Sequence, residues 1–191
     1  MILYHGSPFL FDKFCLSGAG DGTGLKFGYG VYLAEVESSA VHYSQPRKME
    51  FTPEHYLYTV EISDLTDDNH IKSGVPVSSS IIKKVEDKLG IVAPDRVKSK
   101  GKEFRKWIGT ALTGAKKADF AEEKAAAEFL NSIGVLYNVH PHAESKPDGP
   151  IKVTVFDAAN VRIIMRERIE IENKCKKWVL TNRTEIGLWH T

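Results

Sequence analysis

The feature that most constrains the fold of this chain is a change of hydrophobic period in mid-sequence, followed by its reversal. Over 55–62, Tyr56, Tyr58, Val60 and Ile62 alternate with other residues, the two-residue period of a half-buried strand. Over 80–89, Ile81, Ile82, Val85 and Leu89 fall at helical spacing, and the pattern stops at Gly90. Helical patterns continue over 102–112 and 118–132. The last is rich in Ala and Glu, carries Phe120, Ala127 and Leu130, and closes at Gly134. Strand patterns then return over 135–139, 151–156 and 161–165. Towards the start, 2–5 and 26–33 read as strands, and 37–43 as a helical turn with Ser38 as its expected N-cap. Residues 63–79 and 138–150 read as loops, and Gly18, Gly20, Gly22 and Gly24 as a flexible segment. Strands, then helices, then strands imply an α+β chain. Residues 80–132 form its helical insertion and 173–191 a C-terminal tail.

The 191 residues fit one domain, and 42% hydrophobic residues suffice for its core. A net charge of +1 gives no field to steer the chain towards nucleic acid or a membrane. No run of apolar residues is long enough to span a bilayer, and 1–20 lack the basic and apolar parts of a secretory signal. The two cysteines, Cys15 and Cys175, make neither a disulfide framework nor a zinc pair, which points to a reducing compartment. His140-Pro141-His142 with Glu144 has the residue types of a small metal site. A single His-x-His in a proline-bearing loop is ordinarily surface, so no metal is expected. Lys98, Lys100, Lys102, Arg105 and Lys106 form a basic cluster, read as a solvated face because acidic residues on either side balance it.

Chemistry is most concentrated in the first 45 residues. His5-Gly6-Ser7 ends the first strand; Gly28-Tyr29-Gly30-Val31-Tyr32-Leu33-Ala34 leads into the turn of 37–43, which closes on Tyr43. The spacing allows the rings of Tyr32 and Tyr43 to oppose each other across a slot. Aromatic faces attract cations and stack on flat rings, by about 1 to 2 kcal/mol when desolvated.

The runs LYHGS and GYGVYLAEVESSAVHY resemble the NAD-binding core of the diphtheria-toxin-like ADP-ribosyltransferases, the group that includes the poly-ADP-ribose polymerases. The chain looks closer still to the small transferase domains of phage and plasmid polyvalent proteins, which share the pattern of EFLNSIGVLY (128–137) followed by VTVFD (153–157). The resemblance spans roughly 1–165. It implies a domain over 1–172, built as two small antiparallel sheets around an NAD cleft. It implies cleavage of NAD as substrate, release of nicotinamide, and transfer of ADP-ribose to a macromolecular acceptor, protein rather than nucleic acid, with no membrane partner. His5 would fix a ribose, Gly6 would offer its backbone to the nicotinamide amide, and Tyr32 and Tyr43 would sandwich the ring. Ser7, Gly30, Ala34 and Ser39 complete the implied NAD-binding set, with the segment 18–24 bordering the cleft. A cytoplasmic site of action follows, reached by phage injection or by secretion without a classical signal peptide.

The family pattern breaks at one place. Its late-strand glutamate, which bonds the nicotinamide ribose and stabilises the cation formed as nicotinamide leaves, aligns with Lys152. Three resolutions are open: Glu144 or Asp148 enters from the preceding loop, positioning alone drives slow turnover, or the chain is a non-catalytic NAD or ADP-ribose-binding module. Ala40 stands where polymerases often place a carboxamide-binding serine, with Ser39 adjacent. An RNA 2′-phosphotransferase ranks below these, because that chemistry needs arginines around a phosphate and only Arg47 follows the first 45 residues closely.

Overall fold

The structure, a computed structural model, describes residues 1–17, 25–45, 54–141, 149–175 and 177–187. The described residues form eight strands and five α-helices, in the order β1 (Ile2–Ser7), β2 (Val31–Ala34), α1 (Glu37–Tyr43), β3 (His55–Glu61), β4 (His70–Lys72), α2 (Ser79–Leu89), α3 (Asp95–Lys98), α4 (Gly101–Thr113), α5 (Phe120–Ser132), β5 (Tyr137–Pro141), β6 (Ile151–Val155), β7 (Arg162–Lys174) and β8 (Lys177–Ile186). The chain is α+β, and 80–132 is mostly helix between strands, as the change of period requires.

The expected two sheets are instead one continuous sheet in the order β4-β5-β6-β2-β1-β3-β7-β8, parallel only between β4 and β5. Its weak seam lies between β1 and β2, which share the single pair Tyr4↔Ala34, whereas β1 pairs with β3 along its whole length. β2 is short because Gly28 and Gly30, at φ of 101° and 152°, hold 25–30 in turns rather than in the strand expected from 26.

Other differences have local causes. The loop expected over 63–79 contains β4, too short at three residues to show alternation. The loop expected over 138–150 begins as strand, so His140 is a buried β5 residue and not surface decoration. Helix α1 starts after Val36, which makes no side-chain cap bond, so Ser38 is inside the helix rather than its cap. By contrast α2 is capped by Ser78, and α5 opens on a capping box between Asp119 and Glu122. The tail is part of the sheet: β7 runs through residue 172 and β8 folds back on it, from Lys174↔Lys177 to Arg166↔Ile186.

Two faces of the sheet carry two cores. Leu3, Val31, Leu33, Tyr58, Tyr137 and Val153 pack on one face. The other is covered by helices, with Ile81, Phe104, Ile108, Ala126 and Leu130 against Tyr29, Ile71 and Phe156. Helix α1 covers the same side further along, where Ala40 and Val41 meet Leu57 and Ile169. That cover makes β3 buried on both faces, not half-buried as its alternation suggests. Gly6 makes the close fit possible, because a Cβ there would lie 1.8 Å from the Ala40 carbonyl oxygen.

Candidate functional site

Directly opposed residues of antiparallel strands project to one face. The registers Ala34↔Lys152↔His140 and Tyr32↔Thr154↔Asn138 therefore lay two rows of side chains across β2, β6 and β5 on the helix-covered face. Beside these rows α1 presents Ser38, Ser39, His42 and Tyr43, which with Lys152 line a cleft of about 240 Å³. Helix α1 stands there because Gly6 lets it sit directly on β1.

Lys152 Nζ donates to the Tyr43 hydroxyl at 3.2 Å and lies 5.0 Å from the centre of the Tyr43 ring. The cation thus sits at the hydroxyl edge of the ring, within the same cleft. Tyr32 is half-buried and its hydroxyl donates to the Gly28 carbonyl at 2.7 Å. Burial pushes its pKa up to about 12, so it acts as a neutral phenol. Its ring neighbours Phe27 at 6.4 Å, and Phe27 in turn lies over the His140 imidazole with ring centres 3.5 Å apart. His140 is 3% exposed; its pKa is lowered to about 3, first by burial and then by the charges of Lys152, Arg105 and Lys26.

Arg105, on α4, is fully buried and bonds Glu123 through Nε at 2.7 Å and Nη2 at 3.3 Å. It lies so close to the turn before β2 that a Cβ on Gly28 would come within 2.9 Å of its Nε. The charge of both residues conceals this pair, although their spacing marks it: Arg105 lies three residues before Ile108, and Glu123 three and seven residues before Ala126 and Leu130, on the buried face of each helix. The basic cluster is accordingly divided: Arg105 is internal and Lys98 is bonded to Glu86 and Asp95.

The structure brings Ser39, Tyr43 and Lys152 into one cleft, with Ala34 and Tyr32 on the adjoining strand. His5 is not among them. Its side chain projects from β1 with Leu3 to the opposite face, where its ring meets Phe11, Phe14 and Tyr58, and its Nδ1 donates to the Tyr32 carbonyl at 2.8 Å. Burial lowers its pKa despite that bond. Gly6 faces α1 and owes its identity to helix packing rather than to the approach of a ligand. Ser7 accepts from the Phe9 amide at 3.0 Å in a local turn. Glu144, Asp148, His142 and the glycines at 18, 20, 22 and 24 lie outside the described residues. Among the described residues, no three His, Cys, Asp or Glu side chains are grouped as a metal site, and no helix is long and apolar enough to cross a membrane.

The fold and the cleft define an α+β protein in which Lys152, on β6 of a mostly antiparallel sheet, meets Tyr43, on α1, next to the buried His140. Comparisons with protein-family models, with curated proteins and with solved structures gave no match.

Proposed function

We propose that this protein is an ADP-ribosyltransferase-type enzyme that binds NAD in the cleft between α1 and β6, releases nicotinamide and passes ADP-ribose to a macromolecular acceptor. The observation that carries the reading is the meeting of Tyr43, Ser39 and Lys152 in one cleft beside the strand of Tyr32, from segments far apart in the chain. Nicotinamide would lie against the Tyr43 ring, with the buried Ser39 near its carboxamide. Lys152 moves off the ring as the ligand enters and sits near the ribose.

A second reading, a binding module without chemistry, is supported by the same lysine. Lys152 has the wrong charge to stabilise a departing-nicotinamide cation, and it is bonded to the Tyr43 hydroxyl. Mass spectrometry of nicotinamide released from NAD, with and without cell lysate as acceptor source, tests the proposal. Release that is lost in Tyr43→Ala supports the transferase. NAD binding with no release in any lysate transfers the case to the module, and no NAD binding at all rejects both.

A further inference from the structure

We propose that the buried polar layer next to Lys152 holds a phosphate-binding subsite formed by Lys152, His140, Thr154 and Arg105. Seven buried side-chain polar atoms among the described residues lack a hydrogen-bond partner, and four belong to this one neighbourhood: His140 Nδ1 and Nε2, Thr154 Oγ1 and Arg105 Nη1. Buried polar atoms are nearly always paired, so a cluster of unpaired ones on adjoining elements marks a place built to meet something else. His140, Thr154 and Arg105 are 3%, 0% and 0% exposed, so water does not serve them as bulk solvent.

These residues are contiguous. His140 stands opposite Lys152, and Thr154 stands opposite Tyr32. The Tyr32 hydroxyl bonds Gly28, and Gly28 lies directly against the Arg105 guanidinium. Arg105 and Lys152 both act on His140 through their charge, as does Lys26. Glu123 engages Nε and Nη2 of Arg105 and leaves Nη1 over. Lys152 is the member of the set that lines the open cleft, and it stands opposite the buried His140.

The donor set selects the ligand class. An ammonium, a guanidinium N–H, a hydroxyl and an imidazole N–H are offered by adjoining positions on β5, β6 and α4. A flat carboxylate offers two oxygens, whereas a phosphate group offers more acceptors in a tetrahedral spread. The phosphate could belong to a nucleotide's diphosphate or to a separate phosphate ester.

The test is calorimetric titration of the full chain with inorganic phosphate, against chloride at matched ionic strength. Saturable binding is expected, weakened roughly tenfold or more in Lys152→Ala and in Thr154→Val, the loss of one hydrogen bond to a charged group. Thr154→Val should leave the unfolding midpoint unchanged or raised, since it deletes an unpaired buried hydroxyl. Thr59→Val deletes another such hydroxyl, on β3, and should leave phosphate affinity unchanged. If ADP-ribose displaces the phosphate, the subsite is that of a dinucleotide's diphosphate. If the two bind together, it belongs to a separate phosphate ester; either result supports it. Absence of saturable phosphate binding, or wild-type affinity in both Lys152→Ala and Thr154→Val, overturns the proposal. Because the titration uses no NAD, it reads the subsite independently of whether NAD is cleaved.

Discussion

The ammonium of Lys152 sits 3.2 Å from the hydroxyl of Tyr43 and 5.0 Å from the centre of its ring, although 108 residues separate them in the chain. One side chain therefore brings a positive charge into the cleft at the edge of its aromatic ring.

On the proposed transferase reading, Lys152→Glu should raise NAD cleavage. A cation beside the ribose opposes the positive charge that develops as nicotinamide departs. Two like charges about 4 Å apart cost roughly 4 kcal/mol at an effective dielectric of ~20, about a thousandfold in rate. Lys152 is only half-buried, and solvent screening brings the expected gain nearer to tenfold. Lys152→Ala should show a smaller gain. Nicotinamide release measured under saturating NAD checks this, and equal rates in wild type and Lys152→Glu would contradict it.

Gly6→Ala should damage fold and cleft together. The added methyl would meet the Ala40 carbonyl at 1.8 Å, and backbone of a packed helix gives way only if α1 moves. Overpacking of this kind costs roughly 1–3 kcal/mol or more. The variant should unfold at lower urea concentration and lose NAD affinity, since Ser39 and Tyr43 ride on α1. A variant with wild-type stability and affinity would show that α1 is not held by this contact.

Arg105 and Glu123 give a third test. Removing one partner leaves a buried charge without its counterion, at a cost of about 3–5 kcal/mol. For a chain of this length that is a fall in Tm of roughly 10 °C. Arg105→Met alone should show it, whereas Arg105→Met with Glu123→Met should recover most of the loss. Thermal unfolding of the two variants decides, and a double variant no better than the single would mean that Arg105 acts through something other than this pair.

The sequence revealed elements whose period survives over several turns or residues. α2, α4 and α5 were legible because helical spacing or composition in each segment ends close to a glycine, Gly90, Gly114 and Gly134. β4 and β8 were not: three residues carry no period, and the mostly exposed β8 lacks a buried face to write one. The single sheet was also hidden, because its continuity depends on one pair, Tyr4↔Ala34, between strands whose patterns say nothing about neighbours. Tyr43, Ser39 and Lys152, singled out by the family resemblance, do line one cleft. The location of His5 on the opposite face depends on strand register relative to α1, which no single segment encodes. The role of His140 was misread because its neighbour Pro141 suggests a loop, whereas it ends a buried strand.

The fourth prediction concerns pH and follows from His140. In the folded protein its pKa is lowered to about 3, with burial the largest cause and Lys152, Arg105 and Lys26 adding to it. In the unfolded chain it titrates near its ordinary value of 6.5. Between these values the unfolded chain binds a proton that the folded protein does not, so acid favours unfolding. Stability from the neutral imidazole is complete above pH 6.5 and is lost as pH falls towards 3. His140→Gln keeps a polar side chain of similar size and cannot take up the proton. Its urea midpoint should therefore fall less steeply than that of wild type between pH 6.5 and 4. His5 and His70, also lowered by burial, are present in both proteins, and so are the carboxylates. The difference between the two curves thus isolates residue 140. Parallel curves over that range would mean that His140 is protonated in the folded protein, through an anion or carboxylate held against it.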